Sequence, residues 1–175
     1  MEVLHTADVE SPIGPLRFAC SEKGLAYIQL PHQSGRGFDG WRARRAPDAL
    51  VKPGFEPNRR YIAQVLEFLA GKRRDFDFPL DLRATAFQVA VYEEVSRIGF
   101  GEVCSYADVA GAVGRPTATR AVGAANGANP IPLVVPCHRV IAKSGSLQGY
   151  GGGLDLKARL LAMERSDCPE QGCLL

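Results

Sequence analysis

The spacing of apolar residues changes period once along the chain, and that change limits the fold more than any other feature. Over residues 1 to 30, Leu16, Phe18 and Cys20 fall at every second position, as do Ala26, Ile28 and Leu30. Turn residues punctuate them at Ser11-Pro-Ile-Gly14 and Ser21-Glu-Lys-Gly24. A period of two predicts a short antiparallel meander with one buried face. Beyond residue 83 the period is helical. Thr85 with Gln88 forms a capping box ahead of Phe87, Val91, Val95 and Ile98, and Gly99 stops that helix. Ser105 with Asp108 opens another on Tyr106, Val109, Ala110 and Val113, ended by Gly114. The pattern predicts an α+β chain: a small N-terminal antiparallel sheet plus helix (1–82) packed on a mainly helical C-terminal domain (83–165), with a flexible tail (166–175).

Between these regions the signals are weaker. Residues 31 to 57 hold several Gly and Pro with Arg36, Arg42, Arg44 and Arg45, which predicts a mobile solvated loop with a short helix near Trp41. Asn58 after Pro57 reads as the N-cap of a helix whose stripe is Tyr61, Ile62, Val65, Leu66 and Leu69, ending at Gly71. In "RRDFDFPL" the alternation of Phe76, Phe78 and Leu80 predicts a last strand.

Composition narrows the function classes. With 46% hydrophobic and 23% charged residues and a mean hydropathy of -0.08, the chain can form an ordinary core, which excludes a disordered or coiled-coil protein. No apolar run reaches the ~20 residues of a membrane span, and no secretory leader is visible at the start, so a soluble cytoplasmic protein is expected. The five cysteines are an odd, scattered set, which suits a reducing compartment better than a disulfide framework. Net charge is only +2; residues 83–165 carry nine Lys/Arg against six Asp/Glu, or +3, which permits a nucleic-acid partner without announcing one.

A third helical segment begins with Pro116 and Thr117, so that only Gly114-Arg-Pro116 separates it from the second, the spacing of a helix-turn-helix. Its sequence, "TATRAVGAANGAN", is almost without side chains and presents chiefly Arg120 and Asn126. A smooth helix with one long cation fits close approach to a minor groove better than base reading in a major groove. A small-residue helix packed inside the protein remains the alternative.

The chemistry concentrates in "VVPCHRVIAKSGSLQGYGGGLDLKARLLAMER". Cys137 and His138 offer a thiol and an adjacent base, and Glu164 offers a carboxylate to orient the imidazole. In an extended segment adjacent side chains point apart, so the thiol and imidazole are expected to communicate through a water. His5, His32 and His138 are too few and too scattered for a zinc pattern, and Gly149-Tyr-Gly-Gly-Gly153 lacks the Lys-Ser/Thr of a phosphate loop. No metal and no cofactor are expected.

Four segments in order, "FGEVCSYADVA", "RAVGAANGANP", "VVPCHRV" and "GYGGGL", resemble the O6-alkylguanine-DNA alkyltransferase family, strongly from Phe87 to Glu164 and more loosely over residues 1 to 82. The resemblance implies direct repair: double-stranded DNA bound through its minor groove, the damaged guanine flipped out, and its alkyl group moved irreversibly to Cys137. O4-alkylthymine is a further substrate within that reading.

By the same resemblance His138 and Glu164 would activate the thiol through water, and Asn129 would hold the turn before it. Tyr106 would press on the rotated phosphate and hydrogen-bond the guanine ring. Val140, Tyr150 and Gly151 would line the base pocket. Arg120 would replace the flipped base, with Thr117, Ala121 and Asn126 on the DNA side. The chain departs from the pattern at Gly99, Asn126 and Gly151, where relatives often carry larger residues, and a slimmer wall would admit larger adducts. Cys20 falls one place from the zinc ligand some relatives have, so no zinc is inferred. Neither a membrane nor an obligate protein partner is implied. The competing classes are a helix-turn-helix regulator with an alkylation- or redox-sensing cysteine, and a Cys-His hydrolase.

Overall fold

The computed structural model describes residues 1–33 and 35–166; Cys168, Cys173 and the expected tail from residue 167 lie outside the described residues. The chain divides into two compact units, one of residues 1–84 with Pro130–Pro132, the other of Thr85–Asn129 and the chain from Leu133 onward.

The first unit contains β1 (Val3–Val9), β2 (Leu16–Ser21), β3 (Gly24–Gln29), α1 (Gly37–Arg45), β4 (Leu50–Pro53) and α2 (Phe55–Leu69). Its sheet has the order β3-β2-β1-β4. The expected meander is present, with β1 antiparallel to β2 and β2 to β3. The fourth strand is a correction: β4 adds to the edge parallel to β1, pairing Val3 with Leu50 and Thr6 with Pro53.

Residues 31 to 57 are correspondingly more ordered than a solvated loop. Phe38 and Trp41 on α1 bury themselves with Tyr27, Ala19 and Leu4, with the Tyr27 and Trp41 rings 5.1 Å apart. The expectation of one buried face fails for the same reason, since the α1 cluster covers the face bearing Ala19 and Leu4. The opposite face, bearing Cys20, meets α2, where the Cys20 thiol donates to the Pro57 carbonyl at 3.4 Å.

Asn58 does not cap α2. The helix begins three residues earlier, because a proline in the first turn costs no intrahelical bond. Asn58 is instead buried in the helix, its Nδ2 donating to the carbonyls of His5 (2.9 Å) and Gly54 (2.8 Å) and so tying α2 to β1. The strand expected over 73–80 is absent too. Gln64 and Arg60 hold Asp77 by side-chain bonds, and Phe76 and Phe78 lean on Phe68 and Tyr61 at 5.6 and 4.9 Å. Only a bridge between Leu25 and Leu80 remains.

The second unit contains α3 (Ala86–Ser96), β5 (Cys104–Ser105), α4 (Tyr106–Ala112), α5 (Thr119–Gly127), a 3-10 turn (Cys137–Arg139), β6 (Val140–Ile141) and α6 (Leu154–Ser166). Both predicted capping boxes form: Thr85 with Gln88 at 3.2 and 3.0 Å, and Ser105 with Asp108 at 3.0 and 3.2 Å. The link between α4 and α5 is longer than Gly114-Arg-Pro116. Pro116 and Thr117 lie in it rather than opening α5, and the Ala118 amide closes a turn on the Arg115 carbonyl at 2.9 Å. α6 runs through Ser166, where the sequence predicts the tail to begin. Among the described residues no helix is long and apolar enough to cross a membrane.

Gly24 gives a stability test. Its φ is +147°, and a Cβ there would stand 2.3 Å from the Pro79 carbonyl oxygen, the atom that accepts from the Leu25 amide. Gly24→Ala is expected to lower unfolding free energy by about 1–3 kcal/mol in urea titration, from strain and the displaced segment.

Candidate active site

Local bonds place the thiol. Asn129, just past α5, donates from Nδ2 to the Val135 carbonyl at 2.8 Å, bracing a loop in which Leu133 adopts a left-handed φ of 73°. Asn126 donates to the Cys137 carbonyl at 3.1 Å from within α5. The Cys137 amide bonds to Val135 and the Arg139 amide to Pro136, closing the turn. Cys137 and His138 therefore sit on a tight turn and not in the extended segment that the sequence predicts.

His138 and Glu164 are both fully buried, with Nε2 and Oε1 2.7 Å apart. Glu164 is gripped further by Arg139, whose Nε and Nη2 lie 2.9 Å from Oε2 and Oε1, and by the Gly101 amide at 3.2 Å. Burial pushes the Glu164 carboxyl up, but the bonds from His138 and Arg139 outweigh it and bring it down to about 2. An ionised carboxylate accepts only, so Nε2 of neutral His138 must carry its hydrogen and Nδ1 holds the basic lone pair. Burial lowers the basicity of His138, against the pull of Glu164.

Burial also pushes the Cys137 thiol up to about 11, partly offset by Asn129, by the Lys157 charge and by backbone amides. At neutral pH the thiol is protonated, so attack requires a base.

Tyr106 opens α4, and the pairing of Cys104 with Val140 and Ser105 with Ile141 sets it beside β6. Its hydroxyl donates to the Gln148 carbonyl at 2.9 Å, and its pKa is raised by burial and by Cys137. Tyr150 has a buried hydroxyl without a hydrogen-bond partner among the described residues, raised by burial and then by Cys137 and Glu164. Val140 is buried and its carbonyl accepts from Lys157 at 2.6 Å; Gly151 is half-buried in the loop before α6.

The residues assigned to DNA separate into two groups. Thr117, Arg120 and Ala121 are exposed around the start of α5. Asn126 is turned inward and buried, its Nδ2 donating to the Cys137 carbonyl and so supporting the turn.

Two residues carry more than the sequence reading gave them. Lys157 is fully buried, its ammonium donating to the Val140 and Gln148 carbonyls at 2.6 and 2.8 Å and lying 3.4 Å from the Tyr106 hydroxyl. Burial lowers its pKa to about 8, against a rise due to Cys137. The signal was its helical phase, because Lys157, Leu160, Leu161 and Glu164 form one i, i+3, i+4, i+7 stripe. Arg139 is the other. Among the described residues no group of three His, Cys, Asp or Glu is arranged to hold a metal.

A helix-turn-helix built beside a buried thiol, imidazole and carboxylate defines a class: a nucleic-acid-type scaffold carrying its own protected nucleophile. The chain belongs to the 6-O-methylguanine DNA methyltransferase family, whose ribonuclease-like domain matches residues 4–82 and whose DNA binding domain matches residues 86–166. It is 41% identical over 167 residues to the methylated-DNA–protein-cysteine methyltransferase of Mycobacterium tuberculosis H37Rv, covering 95% of this chain and 96% of that protein. It is 39% identical over 147 residues to the inducible enzyme of Bacillus subtilis, covering 84% and 82%. The crystal structure of Mycobacterium tuberculosis OGT in complex with DNA superposes with a TM-score of 0.80 at 40% identity, covering 94% of this chain and 95% of that one.

The depressed Glu164 carboxyl makes stability depend on acid. Its stabilisation is complete above the unfolded value near 4.5 and is lost as pH falls through about 2. Wild type is expected to exceed Glu164→Gln by up to about 3 kcal/mol at neutral pH, the two converging toward pH 2 in urea titrations.

Proposed function

We propose that this protein repairs DNA by direct reversal, moving the alkyl group of O6-alkylguanine to the sulfur of its own Cys137. The observation that carries the reading is the buried Cys137–His138–Glu164 array beside the helix-turn-helix, in a chain of this family. His138 Nδ1 takes the thiol proton through a bridging water, and Glu164 balances the resulting imidazolium. The thiolate attacks the alkyl carbon; the C–S bond forms as the C–O6 bond breaks, and the electron pair leaves with guanine. Tyr106, its hydroxyl turned from the Gln148 carbonyl, donates to the ring as that charge develops. The departing guanine takes up a proton and the imidazolium releases one, so overall the alkyl group replaces the proton on sulfur and a proton replaces the alkyl group on guanine.

The exposed set of Thr117, Arg120 and Ala121 approaches the minor groove, where small residues permit close contact. Arg120 fills the space of the flipped nucleotide. The protein works as a single chain without an obligate protein partner, in the cytoplasm, where reduced cysteines such as Cys20, Cys104 and Cys137 persist.

A thioether offers water no acyl carbon and no good leaving group, so the protein is spent after one transfer. With excess methylated oligonucleotide, product is expected to stop at one per active molecule, with the label on Cys137. Cys137→Ser should bind DNA and transfer nothing. Continued turnover, or label on Cys104, would overturn the assignment.

Unstacking a base costs a few kcal/mol, and a plug that offsets it matters only in duplex DNA. Arg120→Ala is therefore expected to slow repair of a duplex much more than reaction with free O6-benzylguanine. Equal slowing on both substrates would remove the plug role.

A further inference from the structure

The mechanism above uses Cys137, His138 and Glu164 and leaves Arg139 without a role. Arg139 is 6% exposed and holds both Glu164 oxygens, with Nε 2.9 Å from Oε2 and 3.2 Å from Oε1, and Nη2 2.9 Å from Oε1. Its Nη1 donates to the Ile98 carbonyl at 2.7 Å, and its guanidinium carbon lies 5.8 Å over the Phe100 ring. Oε1 of Glu164 is thus shared between the guanidinium and the imidazole, which is 2.7 Å away.

We propose that Arg139 is a positioning residue for alkyl transfer: it fixes Glu164 as a carboxylate aimed at His138 Nε2 and takes up part of that charge, so that His138 rests as a neutral base. This rests on Cys137 being the alkyl acceptor. A buried carboxylate whose sole strong partner was an imidazole would set its whole charge against the ring and raise its basicity, against the burial that lowers it. A histidine already protonated could not take the thiol proton. A forked, permanently charged guanidinium divides the carboxylate's charge and fixes its plane, which an ammonium does less well.

The other groups facing His138 act around this pair. Lys157 on α6 lowers His138 basicity by its charge, as Arg139 does from the turn, and Glu164 raises it. Tyr150 and Lys157 also face Cys137, the residue before His138. A purely architectural Arg139, serving only to tie the turn to the Ile98 carbonyl, would change stability and the fraction of competent protein and leave the titration of His138 in place.

The experiment is a histidine-nitrogen NMR titration of the full chain without DNA, for wild type, Arg139→Lys and Arg139→Gln, paired with single-turnover transfer from a methylated oligonucleotide across pH, normalised to burst amplitude. Wild-type His138 is expected as the Nε2–H tautomer, with its midpoint below the ordinary 6.5. Arg139→Gln is expected to raise that midpoint by about one pH unit, Arg139→Lys by less, and the acid limb of the transfer rate should move by the same amounts. A His138 midpoint unchanged in folded variants overturns the proposal. So does a wild-type midpoint at or above 6.5, which decides the matter even if neither variant folds. If wild type transfers no alkyl group at any pH, the reading of Cys137 fails, and the NMR titration still judges Arg139 separately.

Discussion

The second unit depends on one buried anion. A carboxylate with no exposure is costly unless its oxygens are fully engaged, and Glu164 is engaged by Arg139, His138 and the Gly101 amide. Those partners come from the turn that bears the thiol and from the stretch between α3 and β5, while Glu164 itself stands on α6. The interaction that orients the base therefore also joins three parts of the chain around it. Structure and chemistry share the same bonds.

Around this centre the thiol is kept protonated. Burial holds Cys137 protonated, while Asn129, Lys157 and nearby amides bias it modestly toward the anion. The supports are arranged on carbonyls: Asn126 on that of Cys137, Asn129 on that of Val135, and Lys157 on those of Val140 and Gln148. They set the backbone of the site and leave the thiol itself to the base.

The first unit is organised by packing. Helices on both faces of one sheet bury strands on two sides, and β4 extends the sheet as a parallel edge. Arg83, lying 6.0 Å over the Trp41 ring and paired with Asp81 and Glu2, fastens the end of the unit to its beginning. Nothing in the described residues of this unit brings a base to a thiol as the second unit does: Cys20 is pushed up to about 11 by burial and donates to a carbonyl.

Local features follow from short stretches of chain. Capping boxes at Thr85 and Ser105, the stripes of α3 and α4, the antiparallel meander and the motif around Cys137 were legible because neighbours a few residues apart decide them. Tertiary structure decided the rest. Asn58 reads as a cap and is a buried brace, because the His5 carbonyl it serves lies on another strand. Asn126 stands in a helix of small residues, and only the fold turns it inward onto the Cys137 carbonyl. Phe76 and Phe78 alternate like a strand, yet Asp77 is captured by side chains of α2 and the ladder never forms. The pairing of β4 with β1, and the grip of Arg139 on Glu164, join residues far apart in sequence. No local pattern encodes such a pairing, since its energy exists only once the chain has brought both partners out of water together.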